Sequence, residues 1–149
     1  MPSNECTIPY FAYGANLNFD GMDSRCPGHL PRCIAYIENY QLVFRGVASI
    51  EPANGHRVYG ALYLLDETHM EALDRFEGYP RLYRREIMPI RKAGNNHHTE
   101  AWVYLMNPDK YGYSAPCGGY LETILDGCRD WDIPEFYRKQ ILKIARRNH

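Results

Sequence analysis

The chain has 149 residues, 45% of them hydrophobic and 23% charged, the balance of one globular domain over residues 1–149 that can bury a core. Seventeen basic against eighteen acidic side chains leave a net charge of −1, so no bulk field points to nucleic acid or an anionic membrane. One count stands out: 13 tyrosines against 5 phenylalanines and 2 tryptophans, aromatics with a polar tip that suit strands and a half-polar pocket.

The opening residues, Met1, Pro2, Ser3, Asn4, Glu5 and Cys6, have no basic region and no apolar run, so no secretory signal is read there. No stretch nears the ~18 apolar residues of a membrane helix, and a cytoplasmic location is expected. The five cysteines, Cys6, Cys26, Cys33, Cys117 and Cys128, are odd in number and show no CxxC spacing, which argues against a disulfide framework and a zinc knuckle.

Residues 8–13 are apolar and aromatic and stop at Gly14, a strand running into a tight turn. The loop Tyr13, Gly14, Ala15, Asn16, Leu17 is built of small residues that let a ligand approach the backbone. Gly and Asn there favour a nest of N–H groups for a carboxylate or oxyanion; the other reading is an ordinary turn. A single glycine makes neither a GxGxxG motif nor a P-loop. Residues 35–44 read as a second strand, and 57–65 as a third whose Val58, Gly60, Leu62 and Leu64 share one face. Asp66 is a good N-cap for a helix over Glu67–Glu77, stopped by Gly78 and Pro80.

Residues 83–90 and 99–106 read as a hairpin joined across Gly94, Asn95 and Asn96. His97 and His98 at its tip have no Cys or carboxylate ligands at metal spacing, so no metal is expected. Residues 114–120 form a small-residue loop ending in Tyr120, either a lid over a pocket or simply a loop. A helix is expected over 119–128, and a last one over 133–147, with Asp132 as its cap, Pro134 in its first turn and Glu135 placed for a capping box. Lys143, Arg146 and Arg147 complement that helix's dipole better than they make a nucleic-acid patch. Strands are not followed regularly by helices, so the fold class is α+β: a small, mixed or largely antiparallel sheet that curls into a barrel with flanking helices.

Glu77 is the sharpest single residue. Met70 and Leu73 are spaced i, i+3, and the next position on that apolar stripe is Glu77, with Glu71, Asp74 and Arg75 on a solvated face. A carboxylate there is costly unless paired, hydrogen-bonded or neutral. The helix C-terminus disfavours negative charge as well. Both effects raise a carboxyl pKa toward that of a general base working at neutral pH. The competing reading is a plain ion pair with Arg84 or Arg85.

Three segments together resemble the gamma-glutamylcyclotransferase family, which includes the proteins named for avirulence-induced gene 2. The family's Tyr-Gly-Ser-Asn-Leu is here Tyr13-Gly14-Ala15-Asn16-Leu17; its Leu-Asp-x-x-Glu-Gly is Leu73-Asp74-Arg75-Phe76-Glu77-Gly78, followed by Tyr83; its Pro/Ser-rich loop ending in Tyr is Ala115-Pro116-Cys117-Gly118-Gly119-Tyr120. Ala15 departs from the usual Ser, which leaves any hydroxyl contact to substrate missing. The resemblance implies a small mixed β-barrel and a cofactor-free reaction in which a γ-glutamyl group cyclises to 5-oxoproline. It implies Glu77 as acid and base, the 13–17 loop as substrate and oxyanion site, and Tyr83 and Tyr120 as substrate-binding residues. The partner implied is a small γ-glutamyl molecule, with a homodimer left open.

Overall fold

The spine of the molecule is a long hairpin whose two strands, β2 (Leu30–Arg45) and β3 (Val47–Leu65), turn at Gly46. Both reach well beyond the sequence expectation. The extra length comes from residues whose side chains alternate only in part, because the strands bend. At Asn39, φ 63, the register between β2 and β3 shifts by a bulge, and the Asn39 side chain accepts from the Gly55 N–H at 3.0 Å. Such a bulge bends the strand and lets one hairpin wrap a curved surface.

The computed structural model describes residues 5–107 and 111–147; the reading of Met1 to Asn4 lies outside them. Before the hairpin come β1 (Ile8–Ala12), a 3-10 turn (Ala15–Leu17) and α1 (Phe19–Arg25); after it come α2 (Glu67–Glu77), β4 (Tyr83–Lys92), β5 (His98–Met106), α3 (Gly118–Asp130) and α4 (Glu135–Arg147). Among the described residues the five strands close into a barrel in the order β1-β3-β2-β4-β5. Four neighbouring pairs are antiparallel, and β1 closes against β5 in parallel, with Tyr10 opposite Trp102. β2 meets β4 only at Ala35 and Tyr36. Pro89 lies on the part of β4 that lacks this second neighbour, where its missing N–H breaks no ladder. The core is packed by Phe11, Ile37, Phe44, Val58, Leu65 and Val103, all essentially solvent-free. On the expected third strand Val58, Gly60 and Leu62 are buried but Leu64 is half-buried.

Asp66 caps α2 as expected. Its carboxylate accepts from the His69 N–H at 2.7 Å, and the His69 Nδ1 accepts from the Asp66 N–H at 3.1 Å. The capping box is therefore closed by a histidine at N3 rather than a Glu or Gln. Gly78 ends the helix in the left-handed region, φ 67, where a Cβ is disfavoured.

The start of the last helix differs from expectation. Asp132 does not cap α4; it stands at φ 56 after α3. The Asp132 and Ile133 N–H groups donate back to Arg129 and Cys128, a Schellman closure with Asp in the position usually held by Gly. α4 starts instead from the Pro134 carbonyl, which accepts from Tyr137 at 3.0 Å. α1 and the 3-10 turn had no apolar period long enough to be read. Asn18 caps α1 by accepting from the Gly21 N–H at 3.0 Å, and its amide donates to the Thr123 carbonyl of α3. α3 lies that close because position 127 is glycine: a Cβ there would stand 2.6 Å from the Leu17 and Asn18 backbone. No helix among the described residues is long and apolar enough to cross a membrane.

Candidate active site

One cavity of about 120 Å³ opens at the end of the barrel where β1 runs into the 3-10 turn. That is below the ~300 Å³ at which drug-sized pockets begin and on the scale of a small acyl group. Its wall includes Tyr13, Gly14, Ala15, Asn16, Glu77, Tyr83 and Tyr120, so seven of the eight residues expected to act on substrate lie in one place. Leu17 is the exception. It is fully buried in the core, and its N–H donates to the Gly14 carbonyl at 3.0 Å. The 3-10 turn rolls its side chain away from the cavity and under α3. The loop's N–H groups without a protein acceptor among the described residues include those of Ala15 and Asn16.

Glu77 reaches this cavity because α2 points its C-terminus at the barrel mouth, with Met70 and Leu73 buried behind it. Arg84 and Arg85 do not pair with it: Arg84 reaches Glu86, and Arg85 forms a fork on Asp74. Among the described residues no cationic nitrogen lies within ion-pair distance of Glu77. Among the described residues its hydrogen bond comes from Asn16 Nδ2 at 3.4 Å. Burial pushes the carboxyl up to about 7, against a smaller opposing pull from the Arg25 guanidinium. Desolvation of the charged form is the dominant cause, as the apolar stripe implied.

The tyrosine hydroxyls have defined polarity. Tyr83 donates to the Ala48 carbonyl at 2.5 Å, and Tyr13 donates to the Tyr104 carbonyl at 2.6 Å. With their protons engaged, both keep only acceptor capacity toward the cavity. Tyr120 is the reverse: it accepts from the Ala48 N–H at 3.0 Å, so its own proton is left to donate. Burial pushes the Tyr120 hydroxyl up to about 12 and the Tyr13 and Tyr83 hydroxyls higher still. All stay protonated at neutral pH. The cavity therefore carries acceptors at Glu77, Tyr13 and Tyr83, and donors at Tyr120 and the loop N–H groups. A cation would sit by the first set and an anion by the second.

Three features of the site were not read from the sequence. Tyr104, within the strand expected over 99–106, lines the cavity. Its hydroxyl donates to Asp74 at 2.6 Å, and Asp74, expected on a solvated face, is half-buried and held by Arg85 at 2.9 and 3.3 Å. Val47 and Ala48 belong to the wall through the unread start of β3. Arg25, on the unread α1, donates to Asn16 Oδ1 at 2.7 Å. Of the 114–120 segment Tyr120, on α3, lines the cavity, while Ser114 exchanges backbone bonds with Phe44 and Gly46.

Elsewhere, Cys6, Asp66 and His69 bring ligand atoms within 4.8 Å of one another. His69 uses Nδ1 in the α2 cap and holds Nε2 at 2.6 Å from the Pro27 carbonyl, so both ring nitrogens are occupied; Asp66 and His69 form the cap, and Cys6 Sγ donates to the Gly28 carbonyl. His97 and His98 are exposed at the hairpin tip.

The chain is similar to proteins already known. A family model described as gamma-glutamyl cyclotransferase, AIG2-like, matches residues 10–122. A mouse gamma-glutamylcyclotransferase is 25% identical over 97% of this chain and 87% of its own length. A zebrafish gamma-glutamylaminecyclotransferase B is 36% identical, but over 48% of this chain and 42% of its own. Among solved structures, a gamma-glutamyl cyclotransferase superposes with a TM-score of 0.83 at 22% identity, over 91% of this chain and 86% of that one.

Proposed function

This chain belongs to the gamma-glutamyl cyclotransferase, AIG2-like family, and from that premise we propose that it cyclises a γ-glutamyl amide to 5-oxoproline with Glu77 as acid and base. The α-amine of the glutamyl group attacks its own γ-carbonyl. A nitrogen–carbon bond forms, the amide bond to the amine or amino acid beyond it breaks, and a five-membered lactam remains. No water, metal or cofactor enters that balance.

The α-amine is protonated at neutral pH and cannot attack, and the leaving nitrogen must gain a proton. One carboxyl poised near neutrality serves both steps, taking the proton from the amine and delivering it to the leaving group. Glu77, pushed up to about 7, meets that requirement. The acceptor set of Glu77, Tyr13 and Tyr83 suits the ammonium. The Ala15 and Asn16 N–H groups and the Tyr120 hydroxyl suit the oxyanion of the tetrahedral intermediate, where one donor is worth about 3 kcal/mol. Folding the substrate onto itself makes the reaction unimolecular, so positioning supplies much of the rate.

The observation that carries this reading is a carboxyl without an ion pair, enclosed by tyrosines and facing open N–H groups across one small cavity. The test is 5-oxoproline release from glutathione, γ-glutamyl-alanine and γ-glutamyl-ε-lysine, by the wild type and Glu77→Gln. Release by the wild type alone is expected. Activity on none of the three would make the chain a binding member of the fold, and near wild-type turnover by Glu77→Gln would reject the mechanism. The panel also decides between an amino-acid and an amine leaving group, the second being the class named for the zebrafish relative.

A further inference from the structure

We propose that Arg25 is a positioning residue for Glu77: its guanidinium holds the Asn16 side-chain amide in the one orientation that turns Nδ2 toward the Glu77 carboxylate. The inference rests on the reading of Glu77 as the working carboxyl and adds a residue outside the three matched segments.

The argument starts from donor counts. A guanidinium only donates, so the Asn16 atom facing Arg25 Nη1 at 2.7 Å must be the amide oxygen. The other end of the amide then carries two N–H groups. One donates to the Tyr10 hydroxyl at 2.9 Å and the other to Glu77 Oε1 at 3.4 Å. The Asn16 carbonyl is also fixed, by the Tyr63 hydroxyl at 2.8 Å. Asn16 is 2% exposed, so water cannot replace a lost partner. Without Arg25 the amide oxygen would be a buried acceptor with no donor, and a flip would set oxygen against carboxylate.

Arg25 is itself held. Its guanidinium lies over the Phe76 ring, 3.7 Å from the centroid, and Phe76 precedes Glu77 on α2. It folds back along α1 beside Gly21, where a Cβ would stand 2.9 Å from Nη1. Among the described residues it makes no ion pair, so its charge is not cancelled. The other groups that interact with Glu77 are five tyrosines, Tyr10 from β1, Tyr13 from the loop, Tyr83 from β4, Tyr104 from β5 and Tyr120 from α3, all protonated at neutral pH. Arg25 is the cation that acts on Glu77, and it does so through an intervening amide rather than in contact. That spacing keeps the carboxylate free to take a proton.

The experiment is an NMR titration of the Glu77 side-chain carboxyl and the Asn16 side-chain amide in the wild type, Arg25→Met and Arg25→Lys, alongside kinetics. Methionine keeps the packing on Phe76 and removes donor and charge. The Glu77 midpoint should rise by about one pH unit in Arg25→Met, because an opposing cation is gone. The Asn16 amide resonances should shift, and lysine should restore part of both. With an active substrate, kcat should fall by about tenfold to a hundredfold, the cost of a small misplacement, with KM little changed and the acid limb of kcat/KM moved to higher pH. An unmoved midpoint with unmoved Asn16 resonances would overturn the proposal. The titration needs no substrate, so a wild type that releases no 5-oxoproline would sink the proposed reaction while leaving this test decisive.

Discussion

Two carboxylates three residues apart on α2 meet opposite surroundings. Asp74 lies on the flank of the barrel, where Arg85 grips it with two nitrogens and Tyr104 adds a hydroxyl. Arg85 in turn is sandwiched by the Tyr79 and Trp102 rings, at 4.9 and 4.5 Å. Glu77 lies at the cavity, where its cation is held off by the width of an asparagine side chain. The fork makes Asp74 a bolt that fixes the end of the helix against β4 and β5. The gap leaves Glu77 titratable. A charge one amide away biases a carboxylate without pairing with it.

The strongest way to sharpen this contrast is to neutralise Glu77 without changing its shape. Glu77→Gln should lower 5-oxoproline release by about 10²- to 10⁴-fold, the worth of general acid–base catalysis, with unchanged circular dichroism. In the wild type kcat/KM should climb with pH to about 7 and then level, since the base must be ionised in the free enzyme.

The same substitution should raise stability above that pH. Burial lifts the folded carboxyl from 4.5 to about 7. Between those values the folded state binds more proton than the unfolded one, so stability falls as pH rises through the window. Glu77→Gln should remove that fall and be more stable than the wild type at pH 8 by up to about 3 kcal/mol, but not at pH 4. Urea unfolding at the two pH values checks it, and equal stability at both would break the contrast.

Asp74→Asn should do the opposite. Removing the charge leaves Arg85 half-buried without its partner and should cost about 1–3 kcal/mol at pH 7, read as a drop in Tm, with kcat reduced only through Tyr104 and the seating of α2. Should activity fall as far as in Glu77→Gln, the two carboxylates would not differ in kind. The smallest effect is expected from Gly21→Ala. Its methyl crowds Arg25 and touches nothing in the cavity, so kcat/KM should fall a few-fold, in the direction of Arg25→Met.

The sequence was most legible where one local signal sufficed. The α2 boundaries followed from Asp66 and Gly78, the β4–β5 hairpin from its turn, and the place of Glu77 from the i, i+3 spacing of Met70 and Leu73. It was least legible where a residue's role depends on a distant partner. Asp74 was read as solvated because Arg85 lies on another element, and Tyr104 went unread as a site residue because the cavity is made of seven elements at once, the 3-10 turn included. Leu17 was read into the site because an extended loop and a 3-10 turn look alike in sequence. Asp132 was read forward, as the start of α4, when its backbone closes α3 behind it. Arg25 gave no signal, since α1 is seven residues long with one buried side chain.

The parallel seam between β1 and β5 has a consequence for how the protein is made. The Tyr13 to Tyr104 bond that crosses it joins residues 91 apart in sequence, and contacts of such separation form late because loop closure must precede them. The β2–β3 hairpin and α2 can assemble from local pairings as the chain is synthesised. Until β5 has emerged, however, Glu77 sits at the end of a helix in water, an ordinary carboxylate. Glu77 is encoded early and acquires its buried surroundings only when the last strand shuts the barrel.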